Sequence, residues 1–461
     1  MKVLLLNPPG SGANHLRDYY CAGTTKSSYY YHPVDLLYLS GMLAAEHEVR
    51  VFDAIARGWD AQKTLARIVA ISPDAILSLV SAPTFARDHE FLSSVRRALP
   101  AARIIATGDV YREMREAMFA RQPYLDASLV DFTTDDILSY LRGPGGRPVD
   151  NIIYRHGGGL VAGPEAHRQG AFSLPRPLWE EFPLSLYSLP IAEREPFMTV
   201  LSDFGCPFRC AFCPLSSIAF KLRPVSEVLA ELRALRERGY REIHFRDQTF
   251  GVDKERTLAL CRGIASELPG LSWTCFTRVD VLDEDRAHLM KRAGCHTVIF
   301  GIEFADEARY REMSKGLTLA QIEATVRLCR ACGLRVAGEF IVGLPDQGAR
   351  EVLATGAFAA SLGLDFAAFN IAVPRMATPW RREFIAAGQA SAEEWDGDTR
   401  HGSLAWRSPR LPAGELWRLR ARLERGFYLR PGYLLRSLFR LRTWVQVKLA
   451  LRNGLAVLLG F

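Results

Sequence analysis

Three cysteines within eight residues constrain this chain more than any other feature. Cys206, Cys210 and Cys213 are spaced CxxxCxxC, directly after an apolar run, Phe197 to Leu201, that predicts a buried strand. Thiolates are the ligands that iron–sulfur clusters need, and a closed cluster site usually has four of them. Three thiols on one loop would hold three irons of a cubane and leave the fourth iron open. The spacing therefore predicts a 4Fe–4S cluster that takes part in chemistry.

Zinc, a disulfide and chance are the competing interpretations of the three cysteines. Structural zinc usually requires a second ligand pair farther along the chain. A disulfide is disfavoured because the opening residues MKVLLLNPPG do not resemble a secretory signal, so we expect reduced, cytoplasmic thiols. Cys329-Arg-Ala-Cys332 offers a pair, but it lies at a predicted helix end and is more typical of helix packing. Cys261, Cys275 and Cys295 are expected in the core.

Residues 1–142 predict an open parallel sheet with helices on both faces. Short apolar segments alternate there with helical stretches, and the segments are 2–7, 47–53, 74–81, 102–108 and 125–131. Ligands of such a doubly wound sheet bind outside the carboxyl ends of its strands. Residues 143–195 follow as a linker with a glycine-turn hairpin at 151–161 and a proline-rich, extended segment from Pro175 to Pro190.

Residues 196–385 predict six strand–helix units, and a basic helical region, residues 386–461, follows them. The predicted strands are 197–201, 242–247, 272–278, 297–303, 335–343 and 366–373. The first helix is expected over 226–238, with Ser226 as its cap. Sites in parallel barrels lie where the strands end. We therefore expect a partial (β/α)6 barrel whose site includes the cysteine loop after its first strand.

The cysteine spacing, Phe212 before the last cysteine and the following Pro214 resemble the radical S-adenosylmethionine (SAM) enzymes. Five further segments at predicted strand ends resemble the branch of that family with a cobalamin-binding domain, which includes class B methylases and anaerobic cyclases. These segments are IHFRDQTF at 243–250, WTCFTR at 273–278, AGC at 293–295, FGIE at 300–303 and GEFIVGLP at 338–345. With the N-terminal sheet, the resemblance extends to residue 385.

The resemblance implies a reaction and a set of SAM-binding residues. SAM would chelate the open iron, the reduced cluster would cleave its sulfonium bond, and a 5′-deoxyadenosyl radical would abstract hydrogen from substrate. Asp247 would accept from the amino group of SAM, Arg278 would pair with its carboxylate, and Glu303 would accept from ribose or amino donors. Gly343 would let the backbone approach the adenine, and Phe212 would lie beside SAM.

Each of these residues also has a structural interpretation. Asp247 and Glu303 could form ion pairs at the barrel rim with Arg278 or Arg246, and Gly343 could be a plain turn before a proline. Gln248 stands where the family commonly has an acidic residue.

Cobalamin is the third cofactor that the resemblance implies, held by loops at the carboxyl ends of the N-terminal strands. The expected contacts are Asn7, Pro8, Ser81, Thr84 and Gly108. No DxHxxG sequence occurs, so no histidine ligand to cobalt is expected. The alternative is an open sheet with a purely structural role.

The positive charge of the chain is concentrated in its C-terminal tail. The net charge is +7, and residues 401–461 contain twelve Lys/Arg against two Asp/Glu. This distribution argues against nucleic acid as a partner of the whole protein. Basic amphipathic helices predicted at 416–425 and 433–439 suit peripheral contact with the inner face of a membrane. The alternative is a helical cap packed on the barrel.

The sequence thus predicts a cytoplasmic radical SAM enzyme that uses cobalamin. It would methylate, cyclise or rearrange an unactivated carbon of a secondary metabolite or lipid-like substrate, with flavodoxin or ferredoxin as electron donor. One alternative keeps the radical chemistry without cobalamin. A second alternative, from another class, is a non-catalytic iron–sulfur electron-transfer or membrane-scaffold protein, which a fourth clustered cysteine would favour.

Overall fold

The chain divides into two compact units in the computed structural model. The structure describes residues 1–10, 15–17, 23–24, 30–166, 170–392, 408, 410–441 and 443–459. The first unit contains the described part of residues 1–187, and the second contains the described part of residues 188–391 and 408–459.

The first unit is built around a parallel sheet. Its described strands, β1 to β10 in chain order, are Lys2–Asn7, His15–Leu16, Gly23–Thr24, Glu48–Asp53, Ala75–Leu79, Arg103–Thr107, Ala127–Leu129, Ile152–His156, Gly159–Ala162 and Gly170–Ala171. Its described α-helices, α1 to α6, are Val34–Leu43, Ala61–Ile71, Phe85–Ala98, Asp109–Met114, Ala117–Arg121 and Asp136–Leu141.

The sheet order explains where a ligand of this unit would lie. The seven strands run β4-β1-β5-β6-β7-β8-β9, and the first five are parallel. Because helices cover both faces, β1 is a continuous apolar run whose residues Val3 to Leu6 are fully buried. When these five strands alone are numbered in chain order, the sheet has the doubly wound order 2-1-3-4-5. Its switch point lies between β1 and β5. The predicted open parallel sheet is confirmed.

The segment between the sheet and the barrel was predicted correctly only in part. The hairpin β8–β9 turns at Gly157 and Gly158, with φ of +57° and +80°, as a type I′ turn requires. The proline-rich segment is not simply extended, because it contains 3₁₀ turns at Trp179–Glu181 and Leu184–Leu186. Trp179 is buried there, so packing of an aromatic side chain folds the segment locally.

The second unit is a six-stranded open barrel. Its strands, β11 to β18, are Phe197–Val200, Asp203–Phe204, Lys221–Leu222, Glu242–Phe245, Ser272–Thr277, Cys295–Glu303, Arg335–Val342 and Phe366–Ile371. Strands β11, β14, β15, β16, β17 and β18 pair in that order, all in parallel. Strands β11 and β18 form the two edges of this sheet, so the barrel is not closed. The predicted partial (β/α)6 barrel is confirmed.

The helices of this unit begin at well-defined caps. They are α7 to α16, at Val225–Glu237, Lys254–Glu267, Glu284–Arg292, Glu307–Glu312, Leu319–Ala331, Ala349–Ser361, Pro379–Ala386, Ala413–Tyr428, Pro431–Arg440 and Trp444–Leu459. Asp253, Asp283 and Thr318 each accept a backbone N–H at the start of a helix. The predicted Ser226 cap is wrong: Pro224 occupies the cap position, and Ser226 already lies in the first turn of α7.

The first helix of the basic tail is part of the barrel core. Leu416 of α14 is fully buried, and the hydroxyl of Tyr428 donates to the carbonyl of Ala367 in β18 at 2.7 Å. Here the predicted alternative of a cap packed on the barrel holds. Of the helices in the described part of the chain, none has the length and apolar character needed to cross a membrane.

Candidate cluster and cofactor sites

The cysteine loop that follows β11 is fixed by contacts from other parts of the barrel. A Cβ on Gly205, whose φ is +79°, would lie 2.4 Å from the carbonyl oxygen of Ala219, so only glycine permits this approach. The N–H of Ala211 donates to the carbonyl of Met313 at 2.9 Å. The N–H of Trp380 donates to the carbonyl of Ala211 at 3.1 Å. The loop is therefore positioned before any cofactor binds.

The three thiols have surroundings suited to cluster ligands. Cys210 is buried, Cys206 and Cys213 are partly exposed, and none forms a disulfide. The backbone N–H groups of Phe208 and Leu215 donate to the sulfurs of Cys206 and Cys213, respectively, which favours thiolates. Burial raises the pKa of Cys206 and raises the pKa of Cys213 to about 12. Iron must therefore displace protons when it binds.

A cubane fits this donor set better than a single zinc ion. Among the residues that the structure describes, no three His, Cys, Asp or Glu side chains converge as ligands of one metal ion. Zinc would need that convergence, whereas each cysteine of a cubane binds a different iron. Cys261, Cys275 and Cys295 are buried in the core, as predicted.

Two cations lie over the two aromatic rings of the loop. The guanidinium carbon of Arg278 is 3.8 Å from the ring centre of Phe208, and the ammonium of Lys315 is 5.6 Å from that of Phe212. Such cation–π contacts are favourable, more so when they are desolvated. Phe212 also meets Phe304 edge to face at 6.0 Å. Arg278 and Lys315 thus bring positive charge close to the cysteines of the loop.

Arg278, at the carboxyl end of β15, connects the loop to the rest of the site. Its Nη1 lies 3.3 Å from the Sγ of Cys210, and its Nε and Nη2 donate to both carboxylate oxygens of Asp280 at 2.9 and 2.8 Å. Nη2 also donates to the carbonyl of Lys315 at 2.7 Å. The ion-pair partner of Arg278 is therefore Asp280, and not Asp247 or Glu303 as in the alternative structural interpretation. The sequence analysis missed Asp280, although it lies only two residues away.

Glu303 sits at the end of β16 in a strained backbone conformation. Its φ is +72°, and the pairing of β16 with β17 shifts register at this point. Its carboxylate accepts from the Nζ of Lys315 at 3.1 Å. A Cβ on Gly301 would lie 2.4 Å from that carboxylate, so Gly301 leaves room for the pair. Burial raises the pKa of Glu303, and Lys315 opposes this effect.

Asp247, after β14, is fully buried and supports the strand ends. Its oxygens accept from the N–H and hydroxyl of Ser202 at 2.6 and 2.5 Å and from the N–H of Asp203 at 3.1 Å. The next residue differs: the side-chain nitrogen of Gln248 is buried without a hydrogen-bond partner in the described part of the protein. Thr249 then reaches the Sγ of Cys206 at 3.4 Å. The amide of Gln248 is therefore an unused donor, and it lies in the sequence between Asp247 and Thr249, the residue that contacts the cysteine loop.

Gly343, after β17, is required by packing. Its φ is +79°, and a Cβ there would lie 2.5 Å from the Cδ2 of Leu416 in α14. Its N–H donates to the Oε1 of Gln347 at 2.8 Å. The missing side chain thus accommodates a leucine of the tail helix, a reason that the local sequence did not reveal.

The residues predicted to hold cobalamin lie together at one edge of the first unit, but their side chains bind one another. Arg17 donates to the side chains of Asn7 and Thr84 at 3.1 Å each and forms a buried ion pair with Asp88 at 2.6 Å. Ser81 bonds the hydroxyl of Thr84 at 2.9 Å. The sequence analysis missed Arg17 and Asp88, because each is isolated from any motif.

Backbone contacts complete this edge. Pro8 accepts from Arg17 at 2.6 Å, and a Cβ on Gly108 would lie 1.9 Å from the carbonyl oxygen of Val80. A cavity of about 10 Å³ beside Asn7 is lined by Arg17, Asp53 and other residues. It has room for about one water molecule. The described residues of this unit therefore provide a polar edge against which a corrin would rest, without enclosing it.

Comparison with known proteins agrees with this geometry. Residues 203–359 match the Radical SAM superfamily. The chain is 29% identical, over 99% of its length, to an uncharacterized methyltransferase of Pyrococcus horikoshii, of which it covers 98%.

Two solved structures share the fold. One is the radical SAM methyltransferase TsrM of Kitasatospora setae, with a TM-score of 0.66, 19% identity and coverage of 85% of this chain and 77% of that one. The other is OxsB, a cobalamin-dependent SAM radical enzyme solved with aqua-cobalamin and SAM, with a TM-score of 0.69, 16% identity and coverage of 100% and 71%. A radical SAM domain works with a 4Fe–4S cluster and SAM, which confirms these two cofactors and the predicted enzyme class. The chain thus contains a radical SAM domain, at residues 203–359.

Proposed function

We propose that this enzyme methylates an unactivated carbon of a small molecule, with cobalamin as a further cofactor. The observation that carries the proposal is the cysteine loop with Arg278 in contact with Cys210, at the carboxyl end of the barrel. This chain covers 98% of the uncharacterized methyltransferase of Pyrococcus horikoshii, and that similarity supports methyl transfer over cyclisation or rearrangement. A secondary metabolite or a lipid-like compound is the proposed substrate class.

Cys206, Cys210 and Cys213 are the proposed ligands of the cluster. When bound, the reduced cluster supplies one electron that splits the sulfonium bond of SAM, and the resulting 5′-deoxyadenosyl radical takes hydrogen from the substrate. The residues of the chain hold the cluster loop, exclude water and orient SAM. Flavodoxin or ferredoxin is the proposed source of the electron.

Arg278, Gln248 and Glu303 are the proposed SAM contacts made by side chains. Arg278 has five N–H groups, of which four are used by the contacts described above, so one remains for the SAM carboxylate. The buried amide of Gln248 offers a second donor to the same group. Glu303 would accept from the ribose or the amino group of SAM while it still accepts from the ammonium of Lys315.

Of the three other expected SAM contacts, Asp247 and Gly343 acquire different proposed roles and Phe212 keeps the expected one. Asp247 is a positioning residue, because three donors from Ser202 and Asp203 already occupy its carboxylate. Gly343 shapes the strand end through its packing with Leu416. Phe212 lies below Lys315 and would form one side of the SAM site.

Cobalamin is proposed to rest on the first unit at the loops of Asn7, Pro8, Ser81, Thr84 and Gly108. The doubly wound order supports this proposal, because ligands of such sheets bind at the carboxyl ends of the strands beside the switch point. Asn7 ends β1 and Pro8 follows it, Ser81 and Thr84 follow β5, and Gly108 follows the neighbouring β6. When bound, cobalamin supplies the methyl group for transfer. The Arg17–Asp88 pair would keep the loops in shape under it.

Anaerobic purification from a host supplied with hydroxocobalamin tests the proposal. After reconstitution with iron and sulfide, we expect a corrin absorption spectrum and, with SAM and dithionite, cleavage of SAM. The Cys206→Ala, Cys210→Ala, Cys213→Ala triple variant should keep the corrin and lose SAM cleavage. A protein that cleaves SAM but takes up no corrin would contradict the cobalamin part and favour radical chemistry without it.

A further inference from the structure

The helices α15 and α16 expose apolar faces to solvent. In α15, Leu438 and Phe439 are 66% and 77% exposed, and Leu434 and Leu435 are exposed on the same side. In α16, Trp444 and Leu451 are 83% and 70% exposed, and Leu455 and Leu458 lie on the same face at intervals of three and four residues. Contiguous exposed leucines and aromatics mark an interaction surface in most proteins.

The opposite faces of both helices are anchored by polar contacts. The hydroxyl of Tyr433 donates to the carbonyl of Asp365 at 3.0 Å, and Thr443, before α16, donates to the carbonyl of Glu193 at 3.3 Å. Arg452 donates to the hydroxyl of Ser188 at 2.5 Å. Leu449 of α16 is buried as well, so α16 is apolar on both sides, whereas a helix on a water-facing surface normally has one apolar stripe, towards the core. The outer apolar faces therefore need an apolar partner.

We propose that this surface, formed by the apolar faces of α15 and α16, docks on an anionic lipid bilayer. From Gly426 to Phe461 the sequence contains six Lys/Arg and no Asp/Glu. Apolar side chains with a tryptophan, in a segment whose charged residues are all cations, suit a helix lying at the interface of a bilayer with negatively charged headgroups. A second copy of this chain would bring like charges together, which opposes self-association through the same face.

The cations near the apolar faces remain available to lipid. Arg436 of α15 is exposed. Lys448 lies on the apolar side of α16 and is 68% exposed, and its pair with Glu195 at 3.4 Å is weak because it is solvated. Docking would also carry the barrel to the membrane, since α14 packs on β18. The proposal does not depend on the radical chemistry, because none of these residues touches the cluster loop.

Vesicle co-sedimentation of the full-length, reconstituted protein tests the surface. Two kinds of vesicle are compared: neutral vesicles of pure phosphatidylcholine, and anionic vesicles of phosphatidylcholine and phosphatidylglycerol at three to one. Both are tested at low and at high salt. We expect binding to the anionic vesicles at low salt, weakened by salt. The Leu438→Ser, Phe439→Ser double variant should bind at least about tenfold more weakly, since it removes two inserted apolar side chains. Arg436→Gln should bind about fivefold more weakly, for the loss of one cation near the surface.

A matched control changes two exposed leucines of the first unit, Leu160→Ser and Leu186→Ser, and should bind like the wild type. Cluster absorbance, measured on every variant, confirms that the barrel is intact. No binding to anionic vesicles at low salt would overturn the proposal. So would a dimer that the double variant converts to a monomer, because the occupant would then be a second copy.

Discussion

The guanidinium of Arg278 contacts the sulfur of Cys210, with Nη1 3.3 Å from Sγ. Asp280 and the carbonyl of Lys315 hold the rest of the guanidinium in place. A cation thus stands next to one of the proposed cluster ligands, and the end of β15 is tied to the cysteine loop. This single residue links the place where electrons would enter with the place where SAM would bind.

Replacing Arg278 with alanine should weaken SAM binding. The lost charged hydrogen bond should cost about 1.5–3 kcal/mol, which is at least a tenfold loss of affinity. Arg278→Lys should recover only part of it, because an ammonium cannot reproduce the forked pair with Asp280 that holds the guanidinium in place. Equilibrium binding of SAM to the reconstituted protein measures the effect. Arg292→Ala on the exposed end of α9 is the control, and an unchanged affinity in Arg278→Ala would contradict the assignment.

Gly343→Ala should destabilise the barrel, with an effect on SAM affinity only as a consequence. The added Cβ would meet Leu416 and force an alanine into φ +79°, at a cost of about 1–3 kcal/mol. Leu416→Ala in the same chain should remove the clash but not the backbone strain. Urea unfolding of the two single variants and the double variant separates these contributions. Additive effects would show that the two residues do not interact.

Patterns local in sequence predicted most of the fold. The run from Lys2 to Asn7 is buried on both faces, and the glycine pair Gly157-Gly158 forms the expected hairpin turn. Short-range chemistry decides both features, so the sequence carries them directly. The same holds for the cysteine spacing. By contrast, Ser226 has a capping side chain but lies two positions too late, because Pro224 occupies the cap position and the helix begins at Val225.

Contacts between distant residues decided what the sequence did not reveal. Asp247 was expected to face SAM, yet its carboxylate accepts hydrogen bonds from Ser202, which lies 45 residues earlier. Arg17 reaches Asp88 across 71 residues and locks the loops expected to hold cobalamin. Nothing in periodicity or spacing indicates such partners. The exposed leucines of α15 are a similar case, because amphipathic pattern alone does not say which face is turned outward.

The first unit should lose stability as pH falls from 7 to 5. Burial lowers the pKa of His89 to about 4, against an ordinary value near 6.5. Between these values the unfolded chain binds the proton and the folded chain does not, so lowering the pH favours unfolding. His89 alone should account for about 2 kcal/mol by pH 5.

Urea unfolding at both pH values, followed by tryptophan fluorescence, measures this loss. The His89→Gln variant keeps a polar partner for Tyr124 and should lose less stability on acidification than the wild type. An equal loss in both proteins would assign the pH dependence to other groups.

Iron and sulfide content of the reconstituted protein, read with its EPR spectrum, tests the central claim most directly. The wild type should hold about four irons per chain, and SAM should alter the spectrum of the reduced cluster by binding the open iron. The triple variant Cys206→Ala, Cys210→Ala, Cys213→Ala should hold none, whereas Cys332→Ala should match the wild type. A triple variant that keeps its irons, or a wild-type spectrum that SAM does not change, would contradict the account.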